Sequence, residues 1–132
     1  MKKLFYTLIA ASTLSACSLL DSAIIIDKPN LPTVNICDNV ATDADVTNMV
    51  SKIKAKSFKE ERMARAKLVT KDYCFVSNQV VNIMDAFSFE NAKLEIAKDL
   101  YDQTTDKNNY DVVVDALVHK ADRDELNKFI LQ

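Results

Sequence analysis

The chain has 132 residues, with 17 basic and 19 acidic side chains, one His and no Gly. That length holds one domain. The missing Gly excludes a Rossmann turn, a P-loop and an EF-hand loop, each of which needs positive φ or backbone pressed against a ligand. A lone His119 removes multi-His zinc sites, and a net charge of −2 argues against a nucleic-acid partner, which would call for a basic face. No cofactor or metal is expected.

The first residues read as an address. Met1-Lys2-Lys3 is a positive start, and residues 4–14 form an apolar run of 11 residues. That run is too short for a membrane span of about 20 residues and suits a secretory signal. Leu14-Ser15-Ala16-Cys17 then resembles the lipobox of bacterial lipoproteins. The resemblance implies cleavage of residues 1–16, acylation of Cys17 with palmitate-type chains, and anchoring on a membrane without spanning it. Ser18, where an Asp would favour inner-membrane retention, points to the outer membrane, facing the periplasm. The alternative is an ordinary signal peptide with a chance Cys. Cleavage would leave 15 basic against 19 acidic side chains, a net charge of −4.

Residues 17–42 read as a lipidated Cys and tether, holding both prolines and the apolar Ala23-Ile24-Ile25-Ile26 run, which would lie on the domain or near lipid. Two thiols remain, Cys37 and Cys74. An oxidising envelope and an even count favour a disulfide between them; the competing reading is two buried free thiols. A catalytic Cys74–His119 pair has nothing around either residue to support it.

Residues 43–132 read as an internal repeat. Val46, Met49, Val50 and Ile53 form a helical stripe, followed by Ser57-Phe58. Ser57 and Glu60 fit a capping box, and Met63, Ala64, Ala66 and Leu68 line a second helix. The pattern returns with Ser77 as N-cap. Val80, Val81, Ile83, Met84 and Phe87 follow, then Ser88-Phe89, then Leu94, Ile96, Ala97, Leu100 and Tyr101. A third unit carries Tyr110, Val113, Val114, Leu117 and Val118, then Asp122 as a cap for Leu126, Phe129 and Ile130. The charges keep register: Arg62 and Lys67 after Phe58, Lys93 and Lys98 after Phe89, Arg123 and Lys128 after His119. The expected fold is all-α, about three stacked αα-hairpins with six helices, because no hairpin alone buries its stripe.

These residues carry a family resemblance. Ser57-Phe58-Lys59-Glu60-Glu61-Arg62, the run at positions 74–80, Phe87-Ser88-Phe89 with the helix up to Lys98, Asp106-Lys107-Asn108-Asn109-Tyr110 and Glu125-Leu126 together resemble the bacterial domain of unknown function 4476 family. The resemblance covers about residues 45–131. It departs in the third unit, where Val118-His119-Lys120 stands for the family's Phe-Ser/Thr-Phe. It implies export and, since the family has no established activity, transfers no functional residue.

Several readings stay open. Arg62, Lys93 and Arg123 form a candidate basic ladder for an anionic partner; the plainer reading pairs them with Glu61, Glu95, Asp99 or Asp124 on a solvated face. Phe58, Phe87, Phe89 and Phe129 would line a peptide groove or, more commonly, the core. Asp102, Asp106, Asp111 and Asn108 would hold a cation weakly or cap a turn. The functional expectation is a non-enzymatic, lipid-anchored envelope protein whose helical domain binds a protein partner. A periplasmic inhibitor or immunity-type protein and an enzyme acting on envelope polymer are the alternatives.

Overall fold

The computed structural model describes residues 37–132. The expected signal peptide, Cys17 and the Ile24-Ile25-Ile26 run lie outside the described residues. The described part is all-helical: α1 (Asp43–Lys54), α2 (Lys59–Thr70), α3 (Ser77–Met84), α4 (Glu90–Tyr101), a 3-10 turn at Lys107–Asn109, α5 (Asp111–Asp115) and α6 (Lys120–Ile130). None of these helices is long and apolar enough to cross a membrane.

The three hairpins are α1–α2, α3–α4 and α5–α6. The first helices form one row, α1 against α3 and α3 against α5; the second helices form the other, α2 against α4 and α4 against α6. Each hairpin therefore shares its apolar stripe with its neighbours, as stacked repeats require. The core runs between the rows through Ile53, Phe75, Val80, Ile83, Ile96, Leu100, Tyr110, Leu117 and Leu126, all essentially inaccessible to solvent. Tyr110 sends its hydroxyl to the carbonyl of Ala97 at 2.5 Å and packs edge-on against Tyr101, so its one polar atom is satisfied inside the core.

At the far end of the stack, the segments entering the hairpins run side by side. Cys74 N–H donates to Asn39 O and Ala41 N–H to Cys74 O, both at 2.9 Å. Phe75 N–H donates to Gln103 O and Thr105 N–H to Phe75 O, again at 2.9 Å. These two parallel bridges tie the three units together without forming a named strand. Cys37 and Cys74 are joined in a disulfide across the first pair, with Cα atoms 6.0 Å apart. Residues 37–42, expected to belong to the tether, are therefore bound to the domain, and Ala41 is buried in it. Backbone pairing supplies this attachment, which apolar periodicity cannot register.

Helix starts differ from expectation in consistent ways. α1 begins with an unforeseen capping box: Asp45 N–H donates to Thr42 Oγ1 at 3.2 Å, and Thr42 N–H to Asp45 Oδ2 at 2.9 Å. The expected Ser57–Glu60 box does not form; α2 starts one residue later, with extended Phe58 as N-cap and no side-chain cap. Ser77 is not the cap of α3 but its buried first residue. The capping acceptor comes from another unit: Asp106 Oδ1 accepts the Ser77 N–H at 2.6 Å and its hydroxyl at 2.9 Å. Asp122 likewise lies inside α6, whose N-cap is His119. In α2 the buried stripe is Met63, Ala66 and Thr70, whereas Ala64 and Leu68 face solvent. The helix docks through the face three and seven residues on from Met63, which leaves Ala64 and Leu68 outside.

Candidate functional site

The turns inside the three hairpins lie along one edge of the stack. Each turn leads into an N-cap, Phe58, Phe89 or His119, and each N-cap is followed four residues on by Arg62, Lys93 or Arg123. The helix ending at the turn leaves carbonyls without intrahelical partners. Arg62 Nε donates to Lys56 O at 2.7 Å and its Nη1 to Ala86 O at 3.2 Å, which links the first hairpin to the second. Arg123 Nη1 donates to Leu117 O at 2.7 Å and Val118 O at 2.9 Å. Neither guanidinium makes an ion pair among the described residues. Lys93 Nζ sits 3.2 Å from Glu90 Oε1, both side chains largely shielded.

The three ladder positions are thus occupied locally: Arg62 and Arg123 hold turn carbonyls and Lys93 pairs with Glu90. The acids expected to neutralise them go elsewhere: Glu95 and Asp99 lie 3.3 and 3.2 Å from Lys67, and Asp124 lies 2.6 Å from Lys120.

Glu90 spans the second interface of the stack. Its Oε2 accepts the Val118 N–H of the third hairpin at 2.8 Å while Oε1 faces Lys93. Burial pushes this carboxyl up, but the Val118 N–H and the Lys93 ammonium outweigh burial and hold it below its usual value.

The aromatic expectation divides. Phe87 is core and Phe129 packs against it from the rim, touching Tyr101 edge-on. Phe58 and Phe89 do not line the core: they are 66% and 62% exposed, and Val118 on the third turn is 68% exposed. An N-cap has extended backbone and precedes the buried helical face, so its side chain leaves the stack at the edge. Three of the six exposed large apolar side chains among the described residues thus stand on consecutive turns of one edge; Val40, Leu68 and Leu131 are exposed elsewhere.

Between the first two turns lies a pocket of about 170 Å³. Phe87 and Phe89 give it an apolar wall; Ser57, Ser88, Lys59 and Arg62 give it hydroxyls and positive charge, and no carboxylate lines it. A broader surface depression along α4 and α6 mixes both signs of charge, with Lys59 and Lys98 beside Glu95, Asp99, Asp122 and Glu125. Lys98 is committed there to Glu125 at 2.5 Å.

The acidic turn after α4 is structural. Asp106 is held by Ser77, and Asp102 lies 3.7 Å from Lys107 Nζ. No group of His, Cys, Asp or Glu among the described residues is arranged to hold a metal ion. Cys74 is in the disulfide, so its sulfur is not a thiol available to His119, which sits exposed as an N-cap.

No curated protein and no solved structure matches the chain. A family model described as a domain of unknown function, DUF4476, matches residues 40–130, a span that takes in all six helices and the turn edge. The protein belongs to the domain of unknown function 4476 family.

Proposed function

We propose that the protein is a lipid-anchored cell-envelope protein whose helical domain is a non-catalytic binding module for another envelope protein. The anchor reading rests on the ordered run of Lys2-Lys3, the apolar segment and Leu14-Ser15-Ala16-Cys17. Acyl chains on Cys17 attach the chain to a membrane, and Ser18 directs it to the outer one. The observation that carries the binding reading is the edge bearing Phe58, Phe89 and Val118. A domain that buries Phe75, Phe87 and Tyr110 has the means to bury large side chains, yet leaves these three outside on neighbouring turns. Rigid presentation of aromatic side chains at a solvent-exposed edge is the chemistry of an interaction hot spot.

Two measurements test this reading. Cell fractionation of the Cys17→Ser chain is expected to move it from the membrane pellet to the soluble fraction; unchanged sedimentation overturns the anchor. Crosslinking in cells, followed by purification through a C-terminal tag, is expected to recover one recurrent envelope protein that a Phe58→Ser/Phe89→Ser chain loses. Recovery of the same protein by both chains, or of none by either, overturns the role given to the edge.

A further inference from the structure

The three hairpins present two equivalent interfaces at the turn edge, and they are held differently: Arg62 crosses the first to the Ala86 carbonyl, whereas Lys93 pairs with Glu90 of its own hairpin. Aligning the N-caps Phe58, Phe89 and His119 places Lys59, Glu90 and Lys120 at the first helical position and Ser57, Ser88 and Val118 just before the caps. At the second interface Glu90 crosses to the next turn: it accepts the N–H of Val118 and neutralises Lys93. At the first interface the equivalent residue is Lys59, which has no carboxylate to offer. The N–H of Ser88, equivalent to that of Val118, has no partner among the described residues. Arg62 uses Nε and Nη1 on carbonyls, and its Nη2 has no partner among the described residues. Lys59 makes no ion pair among them either.

Beyond the Lys56 and Ala86 carbonyls that Arg62 holds and two serine hydroxyls, the first interface gathers hydrogen-bond donors and two cations with no carboxylate. It does so in a chain that is acidic overall, around the pocket walled by Phe87 and Phe89. The second interface shows what satisfies this arrangement: a glutamate carboxylate whose preceding residue is a phenylalanine. We infer that the pocket between the first two turns binds a glutamate side chain of the protein partner, next to an apolar residue of the partner that packs on Phe89, in the manner in which Glu90 binds the third turn. The volume of about 170 Å³ accommodates one side chain and not a drug-sized ligand, for which pockets run from about 300 Å³ upward. Charge-assisted hydrogen bonds to a guanidinium and a backbone N–H supply the specificity, and the aromatic wall supplies the apolar contact.

This inference rests on the binding-module reading and names the chemistry of its partner. The test is an NMR titration of the ¹⁵N-labelled full chain in detergent with the capped dipeptide acetyl-Phe-Glu-amide. The expected result is saturable movement of the Ser88 and Phe89 amide signals, with affinity about tenfold weaker for acetyl-Phe-Gln-amide, which lacks the charge. Lys59→Glu supplies the missing carboxylate from within. It is expected to shift the Ser88 amide in the absence of peptide and to weaken acetyl-Phe-Glu-amide about tenfold or more, with the rest of the spectrum retained.

Equal affinity for the Glu and Gln peptides overturns the inference, as does movement of Ser88 only with acetyl-phenylalanine, whose carboxylate is terminal. Movement of Ser88 with phosphatidylglycerol vesicles but with no peptide assigns the site to lipid and overturns it too. So does the absence of any shift up to the solubility limit of the peptides. A partner crosslinked at another face of the domain would remove this site while leaving the binding-module reading intact. A peptide-binding pocket in a chain that recovers no partner from cells would do the reverse.

Discussion

Replacing Asp106 with Ala removes the carboxylate that accepts both the N–H and the hydroxyl of Ser77, at 2.6 and 2.9 Å, at the start of α3. Ser77 is wholly inaccessible to solvent, so water cannot replace the lost acceptor without opening the junction between the second and third units. A buried donor left unsatisfied costs about 1–3 kcal/mol, and a carboxylate at a helix N-terminus adds about 0.3–1 kcal/mol through the dipole. The Ser77 hydroxyl keeps the Asp106 backbone carbonyl at 3.2 Å, so one orphaned N–H and the dipole together give an expected loss of about 2–3 kcal/mol, a large part of the stability of a domain this size. Asp106→Asn keeps an acceptor oxygen and loses the charge, so its expected cost is smaller, about 1–1.5 kcal/mol. Ser77→Ala removes only the hydroxyl, and in a double-mutant cycle it isolates the hydroxyl–carboxylate contact, with an expected coupling of about 1–2 kcal/mol. Urea denaturation followed by circular dichroism reads all four proteins, with unchanged slopes required for comparison. An Asp106→Ala midpoint within about 0.5 kcal/mol of the parent would refute the assignment of Asp106 as the cap of α3, and a coupling near zero would leave the Ser77 hydroxyl to the Asp106 backbone carbonyl.

The remaining predictions use the same assay or a titration. Removing the disulfide through Cys37→Ser and Cys74→Ser opens a loop of separation 37 and is expected to cost about 4 kcal/mol in the chain-entropy treatment; equal midpoints for oxidised and reduced parent protein would contradict it. Ile83→Ala, in the core, is expected to cost about 2–5 kcal/mol, whereas Phe58→Ala and Phe89→Ala stay within about 0.5 kcal/mol; large losses at the two phenylalanines would return them to the core. Glu90 is held below its usual value in the folded chain, so the stability it contributes is complete above the unfolded pKa near 4.5 and is lost as pH falls through the lower folded value. Glu90→Gln is expected to flatten that acid limb, and parallel pH–stability curves for the two proteins would remove the argument. Burial pushes the Tyr110 phenol well above its ordinary value of 10, so its contribution is present below pH 10 and declines as pH rises beyond it. An absorbance titration is expected to leave one tyrosine silent until the chain unfolds, and ionisation of Tyr110 in folded protein would contradict its burial.

The repeat architecture was legible because it is written in apolar spacing and in charges that keep register. Val46, Met49 and Ile53, then Val80, Ile83 and Met84, then Val113, Val114 and Leu117 are buried where periodicity places them. Helix starts were less legible because a cap is a contact and not a residue type. Ser57 and Ser77 both have the composition of N-caps, yet the first is passed over for Phe58 and the second takes its acceptor from Asp106, 29 residues away. Phe87 and Phe89 are two residues apart in one motif, and nothing in their identity separates a core side chain from an exposed one; the turn geometry does. The contrast between Lys59 and Glu90 was present in the sequence but carried no meaning until the stack showed that Glu90 reaches the Val118 N–H of the next turn.

The central claim is that the turn edge of the domain faces another envelope protein. A photocrosslinking residue placed at position 58, and separately at the exposed position 102 near the opposite end of α4, tests it in living cells. The expected result is one discrete adduct of constant mass from position 58 and none from position 102. Adducts from position 102 alone, or no adduct from either position, would contradict the account.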